Sequence, residues 1–557
     1  MNQNLREWLE DSRIDSRTKE AIDRMSPEER EDAFYQKLTF GTAGLRGKLG
    51  PGSNRMNIYT VGLAVEALAQ FLQEKGYEDQ SLVIGHDTRH QSDTFAREAG
   101  KILQAHGIRV YLFKIPVPTP LLAYSVRDLK TSAGIMITAS HNPKEYNGLK
   151  VYNNKGIQID ASWADGILEK MNQLSFGDVK KSQEEDFSLV PEKTIESYFA
   201  KHLKRQLRDD INKDFSITYT PLNGVGNLFV RHILEKRGFK KVQVVKVQEK
   251  PDPDFTTVGY PNPENFAAFD CAIQQADQEG SSFILATDPD SDRVSLAIKH
   301  DGEWIHLNGN QIGALLMDYI LHELDRQNRL PERPAVVKSI VTGDLGFEVA
   351  KELGLERFNT LTGFKNICAP AVDWEENGDY TFVFGYEESI GYIYGNDVFD
   401  KDAVIISMIL CEMAAYYDSQ GRDLYDQLLD LYARYKPHRE LLYSIIYEGQ
   451  EGLETMGRIM DRLRKDPLTQ IGQEEVGEVI DYLHGQKGKI DLAPQNLIQY
   501  VLKGRGKIFF RPSGTEPKLK IYIYLVDDDL DVADKRLEAI QEDLAGLFKE
   551  IEEAQWF

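Results

Sequence analysis

Three aspartates alternate in Asp288-Pro289-Asp290-Ser291-Asp292-Arg293, directly after the apolar run Phe283-Ile284-Leu285-Ala286. Carboxylates at alternate positions of one short loop can converge on a hard divalent cation, and Pro289 stiffens the turn. Few ligands in a small loop suit Mg²⁺, with water and phosphate oxygen filling the other positions. A second loop, Thr138-Ala139-Ser140-His141-Asn142-Pro143, follows the apolar stretch Ala133 to Ile137. A hydroxyl just past a strand end, beside an imidazole and stopped by proline, is placed for covalent chemistry. Taken alone, the same run also reads as a polar turn with a helix cap.

Two further loops carry weaker signals. Gly385-Tyr386-Glu387-Glu388-Ser389 follows an apolar strand and offers carboxylates and a hydroxyl to sugar hydroxyls, although glutamate pairs commonly face solvent. Arg511-Pro512-Ser513-Gly514-Thr515-Glu516-Pro517-Lys518 lies between two strands. It combines cations, hydroxyls and a permissive backbone, which suits a dianionic phosphate as well as it suits a plain turn. Gly41-Thr42-Ala43-Gly44-Leu45-Arg46-Gly47 is glycine-rich with one embedded cation, but no Gly-Lys-Ser/Thr follows, so it is not a Walker A loop. Gly224-Val225-Gly226 lacks the third glycine of a dinucleotide fingerprint. Histidines other than His141 have no metal-ligand spacing.

These loops sit in a chain that alternates strands and helices after a charged helical leader of about 35 residues. Leu63 to Gly76 and Ser92 to His106 read as helices, Ser81 to Gly85 and Ile108 to Phe113 as strands. The pattern restarts near Asp214, with strands Phe215 to Thr220, Val242 to Val247, Phe283 to Thr287 and Val294 to Ile298. It restarts again near Ala335, with strands Val336 to Val341 and Thr381 to Phe384, then helical segments from Ala403 to Tyr435. The last stretch changes character: strands Ile508 to Phe510 and Lys520 to Leu525 precede an amphipathic helix from Asp531 to Ala554. The expectation is α/β: three α/β domains with mixed, mostly parallel sheets plus a smaller C-terminal α+β domain. Their bounds are drawn at 1–205, 206–310, 311–440 and 441–557.

The chain has 557 residues, 41% of them hydrophobic and 28% charged, as in an ordinary soluble protein. Lys plus Arg number 66 against 89 Asp plus Glu, so the net charge is −23. That disfavours nucleic acid and acidic membranes as partners, while leaving room for a basic pocket that takes a small anion. Cys271, Cys368 and Cys411 are odd in number and widely spaced, so each is read as a small buried apolar residue. The N-terminus lacks a signal-peptide core and no stretch reaches membrane-spanning length, which leads to an expectation of a cytoplasmic protein.

Taken together, the loops resemble the α-D-phosphohexomutase superfamily over about residues 36 to 557, in the order serine loop, metal loop, sugar loop, phosphate loop. The opening Phe40-Gly41-Thr42-Ala43-Gly44-Leu45-Arg46-Gly47 and the Glu387 loop look like its phosphoglucomutase-2-type branch. The resemblance implies domains arranged around a central cleft and a phosphoserine enzyme acting on small-molecule sugar phosphates. Ser140 would carry the phosphoryl group, and Asp288, Asp290 and Asp292 would hold Mg²⁺ with a phosphoserine oxygen. Arg46, His141, Lys150 and Arg293 match positions around that serine. Thr362, Gly363, Lys365, Glu387 and Ser389 would face the sugar. Arg511, Ser513, Gly514 and Thr515 would grip the non-reacting phosphate. Glucose 1,6-bisphosphate would be intermediate and activator. Many members have glycine where this chain has Tyr386, a change that a ring could translate into pocket size.

Within the resemblance, glucose phosphate is the first substrate expected, with mannose or pentose phosphate and glucose 1,6-bisphosphate synthesis beside it. A phosphatase with an aspartyl nucleophile is a different class. It also places Asp-x-Asp after a buried strand, but usually has Thr or Val where Asp292 stands. A non-catalytic sugar-phosphate binder needs neither Ser140 nor three aspartates.

Overall fold

A computed structural model describes all residues except 1, 42, 78–79, 448, 485–491, 513–517 and 554–557. The leader forms three short helices, Gln3–Glu10, Ser16–Asp23 and Pro27–Phe34, capped by the side chains of Asn2, Asp15 and Ser26. Trp8 meets Phe34, Tyr59 and Phe176 edge to face, which fastens the leader to the first α/β layer.

The first sheet has the order Leu45–Lys48, Tyr146–Asn153, Ala133–Ile137, Ser81–His86, Arg109–Leu112, Ser188–Leu189. The last four strands are parallel; Tyr146–Asn153 runs against Ala133–Ile137, and Leu45–Lys48 against Tyr146–Asn153. Ser81–His86 and Ala133–Ile137 are buried along their whole length, as expected of parallel strands covered on both faces. Each buried Ile or Val there stabilises by about 1.5–3 kcal/mol. The helix Ile58–Lys75 covers one face; Asn57 caps its start and Gly76, in the left-handed region at φ 68°, ends it.

The second sheet follows the order Glu303–His306, Val294–His300, Phe283–Thr287, Ser216–Thr220, Lys241–Val244, with the last three parallel. The third runs Glu356–Thr360, Pro334–Ser339, Thr381–Glu387, Gly391–Tyr394, with the last strand antiparallel. The fourth is antiparallel throughout: His438–Ile446, Lys518–Val526, Gly506–Pro512, Ile498–Leu502, Glu474–Asp481, Gln470–Ile471. The helices Gly449–Lys465 and Leu530–Glu553 accompany it. The architecture is therefore three mixed, mostly parallel α/β layers and a final α+β unit.

One device recurs in the first three sheets. A buried parallel strand ends, the chain turns, and the next strand returns antiparallel beside it. The turns are 138–145, 288–293 and 388–390. Each contains one non-glycine residue in the left-handed region: Ser140 at φ 51°, Ser291 at φ 49° and Ile390 at φ 55°. Such a residue costs about 1–2 kcal/mol and reverses the chain sharply. The three turns thus take equivalent places in successive sheets, although they differ in length. The return strands are the feature of the topology that alternation alone does not reveal.

Two expectations change. Tyr386 does not enter a pocket: its ring is fully buried, and its hydroxyl donates to the carbonyl of Gly343 at 3.3 Å. Period-two alternation turns it away from its neighbour Glu387, and Gly313 makes its berth, since a Cβ there would lie 2.1 Å from the ring. Cys368 and Cys411 are buried as expected, but Cys271 is partly exposed.

Candidate active site

Ser140 lies at the C-terminal end of Ala133–Ile137, and its Oγ donates to Asp288 Oδ2 at 2.7 Å. His141 Nδ1 stands 3.2 Å from the same Oγ. The return strand Tyr146–Asn153 places Lys150 opposite Met136, inside the strand that launches the serine loop. Lys150 Nζ donates to Asp290 at 2.9 Å and to Asp292 at 3.1 Å. The outer strand Leu45–Lys48 sets Arg46 opposite Gly148, from where Nη1 donates to the Asn142 side chain at 3.0 Å.

One carboxylate oxygen from each of Asp288, Asp290 and Asp292 lies within 4.8 Å of the other two. All three residues are buried, and Oδ1 of both Asp290 and Asp292 has no hydrogen-bond partner in the protein. Buried orphan oxygens in an all-carboxylate set fit a hard divalent cation. The loop is held from behind: backbone N–H groups of Asp292 and Arg293 donate to Asp288 Oδ1, and Thr119 Oγ1 donates to Asp290 at 2.8 Å.

Like and unlike charges are crowded together here. Burial, with Asp290 and Asp292 alongside, pushes the Asp288 carboxyl well above the usual carboxylate range. Asp292 is buried too, yet Lys150, Lys401 and Arg293 hold it far below that range. Burial opposes charge on Lys150 and Lys401, but the aspartates win, and both ammonium groups keep their protons. Burial and the flanking Arg293 and Arg46 depress His141, so its imidazole is neutral near pH 7.

Lys401 is the site residue that sequence reasoning misses. Its Nζ lies 3.4 Å from Asp292, and it stands in a run whose neighbours are both anchored. Asp400 accepts from the Tyr152 hydroxyl at 2.6 Å, while Asp402 accepts from Tyr198 and pairs with His202 at 2.8 Å. A lysine between two aspartates, just before the buried helix Ala403–Asp418, is the signal that could have found it.

Residues 37–178, 196–302 and 308–435 match the families described as phosphoglucomutase/phosphomannomutase alpha/beta/alpha domains I, II and III, in that order. The chain is 35% identical to the phosphoglucomutase of Staphylococcus haemolyticus (strain JCSC1435) over 515 residues, 90% of this chain and 92% of that one. It is 34% identical to the phosphoglucomutase of Staphylococcus aureus (strain USA300) over 546 residues, 96% of this chain and 97% of that one. This chain belongs to the phosphoglucomutase/phosphomannomutase family. Its fold also matches the crystal structure of a candidate phosphomannomutase from Thermus thermophilus, with a TM-score of 0.70 at 25% identity, covering 92% of this chain and 99% of that one.

In this member of the family the turn 388–390 adjoins the aspartate loop 288–293. Arg293 Nη1 donates to the Ser389 carbonyl at 3.1 Å, and Arg293 bridges to Gly391. Glu387 is buried, and its carboxylate acts on both Lys401 and Arg293. Glu388 accepts from Ser339 and Thr342, each at 3.1 Å. Gly363, at φ 102°, starts the helix Phe364–Asn377; Lys365 Nζ reaches the Ile159 carbonyl at 3.5 Å. Thr362 Oγ1 accepts from Gln495 at 3.0 Å, a link to the last unit. Arg511, on Gly506–Pro512, donates to the Tyr522 hydroxyl at 3.5 Å. Ser513, Gly514 and Thr515 lie outside the described residues.

A second carboxylate group, Asp423 and Asp426 beside His300, is accounted for by helix capping, since Asp423 and Asp426 form the capping box of Leu424–Tyr435. Among the described residues no helix is long and apolar enough to cross a membrane.

Proposed function

We propose that the protein is a phosphoglucomutase, interconverting glucose 1-phosphate and glucose 6-phosphate through a phosphorylated Ser140. The contact that carries this reading is Ser140 Oγ at 2.7 Å from Asp288, one of three clustered, buried aspartates. The choice of substrate follows the staphylococcal relatives, which are named phosphoglucomutase.

The charges support it. Once a bound cation displaces the proton of Asp288, the three carboxylates balance Lys150, Lys401 and Arg293. A divalent ion would leave two positive charges, which a phosphoryl dianion on Ser140 cancels. Asp288, Asp290 and Asp292 would hold Mg²⁺, which when bound neutralises charge on the transferring group.

The remaining work falls to side chains. The Ser140 Oγ–P bond breaks as a hydroxyl oxygen of the sugar phosphate bonds to phosphorus. The hydroxyl proton passes to the neutral imidazole of His141, since the Lys150 ammonium already holds its proton, and serine leaves as an alkoxide stabilised by the surrounding cations. Glucose 1,6-bisphosphate, still bound, turns end for end and returns its other phosphoryl group to Ser140. Glu387, Ser389, Thr362 and Lys365 orient the sugar, and Arg511 with Ser513, Gly514 and Thr515 grips the idle phosphate. Division of the chain near 205, 310 and 440 gives every segment a loop of its own, and the protein works in the cytoplasm.

The test is conversion of glucose 1-phosphate with Mg²⁺ and a trace of glucose 1,6-bisphosphate, beside mannose 1-phosphate and ribose 1-phosphate. Turnover led by glucose is the expected result. Preference for another sugar would replace glucose and keep the chemistry, and no turnover with any would overturn the mutase reading.

A further inference from the structure

Arg89 follows the strand Ser81–His86 and is almost fully buried, with its side chain inaccessible to water. Its guanidinium spends itself on one loop. Nη1 donates to the carbonyls of Pro143 at 2.9 Å and Tyr146 at 3.2 Å, and Nη2 to those of Ser140 and Asn142. Three carbonyl oxygens of the serine loop and one from the first residue of its return strand thus converge on one side chain. Asp87 pairs with the fork: its Oδ2 lies 3.3 Å from Nε, without a hydrogen bond, while its Oδ1 accepts from Ser92 Oγ and from the Arg89 backbone N–H. Phe255, from the second α/β layer, closes the other side, its ring centre 4.9 Å from Cζ.

This clamp bears on Ser140 in a particular way. Ser140 sits at φ 51°, a conformation an L residue keeps only when its surroundings over-determine it. Its carbonyl is held by Arg89 and its N–H by Thr138 Oγ1 at 2.8 Å, so both flanking peptide planes are fixed. With them fixed, Oγ is aimed at Asp288. A planar fork with five donors can serve four carbonyls at once; a lysine ammonium, with three donors on a flexible stem, cannot.

We propose that Arg89 is the positioning residue of the serine loop, and that its fork, rather than its charge, holds Ser140 in the conformation that transfers a phosphoryl group. This rests on the phosphoserine reading above. The fork touches no reacting atom, so its loss lowers the rate of transfer without weakening the hold on the sugar.

The experiment begins with wild type, measuring turnover and Ser140 phosphorylation by peptide mass spectrometry after exposure to glucose 1,6-bisphosphate. Failure there sinks the phosphoserine reading before Arg89 is in question. With wild type active, Arg89→Lys keeps the charge and removes the fork. The expected result is a kcat lower by about 10²-fold, the scale of a 1 Å misplacement, with KM within about threefold and a shifted ³¹P resonance of phosphorylated Ser140. A kcat within about threefold of wild type, or a KM that rises as much as kcat falls, overturns the proposal. Should Arg89→Lys not fold, Asp87→Asn, which keeps the guanidinium but frees its orientation, is judged by the same kcat and KM split.

Discussion

The two walls of the site are built differently. On the serine and metal side, Ser140, Lys150, Asp288, Asp290 and Asp292 are all buried and every one is paired, through contacts of 2.7–3.1 Å. On the side proposed to hold sugar and phosphate, Glu387 is buried, but Thr362, Lys365, Ser389 and Arg511 are half-exposed, and Lys365 and Arg511 are held by contacts of 3.5 Å. The last unit meets the third layer through polar contacts such as Lys507 with Asp344 and Gln495 with Thr362, and through a buried apolar cluster of Val341 with Leu497, Phe509 and Tyr522. The difference teaches where preorganisation is needed. A transferring phosphoryl group needs fixed charges, because reorganisation at the moment of transfer raises the barrier. A sugar that must present first one end and then the other needs a wall that yields.

The largest effect should come from the fixed wall. Ser140→Ala should lower turnover about 10⁴-fold or more, the scale of removing a nucleophile. The thermal midpoint should stay within a few degrees, since alanine bears the same positive φ. Wild-type-like turnover in this variant would remove Ser140 from the reaction.

Next comes Asp290→Asn, which takes away one carboxylate of the cluster and a partner of Lys150. Turnover should fall about 10²-fold, with Mg²⁺ activation moved to higher concentration. A chelator should silence wild type and added Mg²⁺ restore it. Unchanged Mg²⁺ dependence in the variant would take Asp290 out of the metal set.

On the yielding wall, Arg511→Met should raise KM about tenfold, the loss of one charge-assisted bond, with kcat little changed. An equal fall in kcat would place Arg511 in the fixed wall and erase the contrast.

The smallest effect concerns Glu388, where the two walls meet. Burial, then neighbouring Glu387, raises its carboxyl to about 7. The folded protein therefore keeps a proton that the unfolded chain has released. The stability this lends is complete below about pH 4.5 and is lost as pH rises to about 7. Glu388→Gln stays neutral throughout, so the variant should gain a few degrees on wild type across that window. Thermal midpoints measured from pH 4.5 to 8 that run parallel in the two proteins would refute it.

Much of the fixed wall is legible in the sequence because its chemistry sits in consecutive residues. Ser140-His141 and Asp288-x-Asp290-x-Asp292 each follow a strand whose apolar run is plain. What escapes is whatever acts through distance along the chain. Arg89 reads as an ordinary charge until the fold brings it to carbonyls more than fifty residues away. Lys401 reads as a helix preface until Asp292 meets it. Tyr386 reads as an intruder in the pocket until the pleat turns it toward Gly313. The return strands escape for a related reason: Tyr146–Asn153 mixes Asn, Gly and Lys because some of its polar residues face the site rather than the core.

The anchoring of Lys401 by Asp400 and Asp402 also sets a clock on the chain's birth. Ser140 and Lys401 are about 260 residues apart, so at about 5 to 20 residues per second of synthesis the serine loop leaves the ribosome roughly 13 to 50 seconds before the lysine that faces its aspartates. Tyr152, Tyr198 and His202 precede their partners Asp400 and Asp402 by 248, 204 and 200 residues, so they wait about 10 to 50 seconds. Until residue 401 is made, Asp292 lacks the lysine that pairs with it, and the site around Ser140 is incomplete.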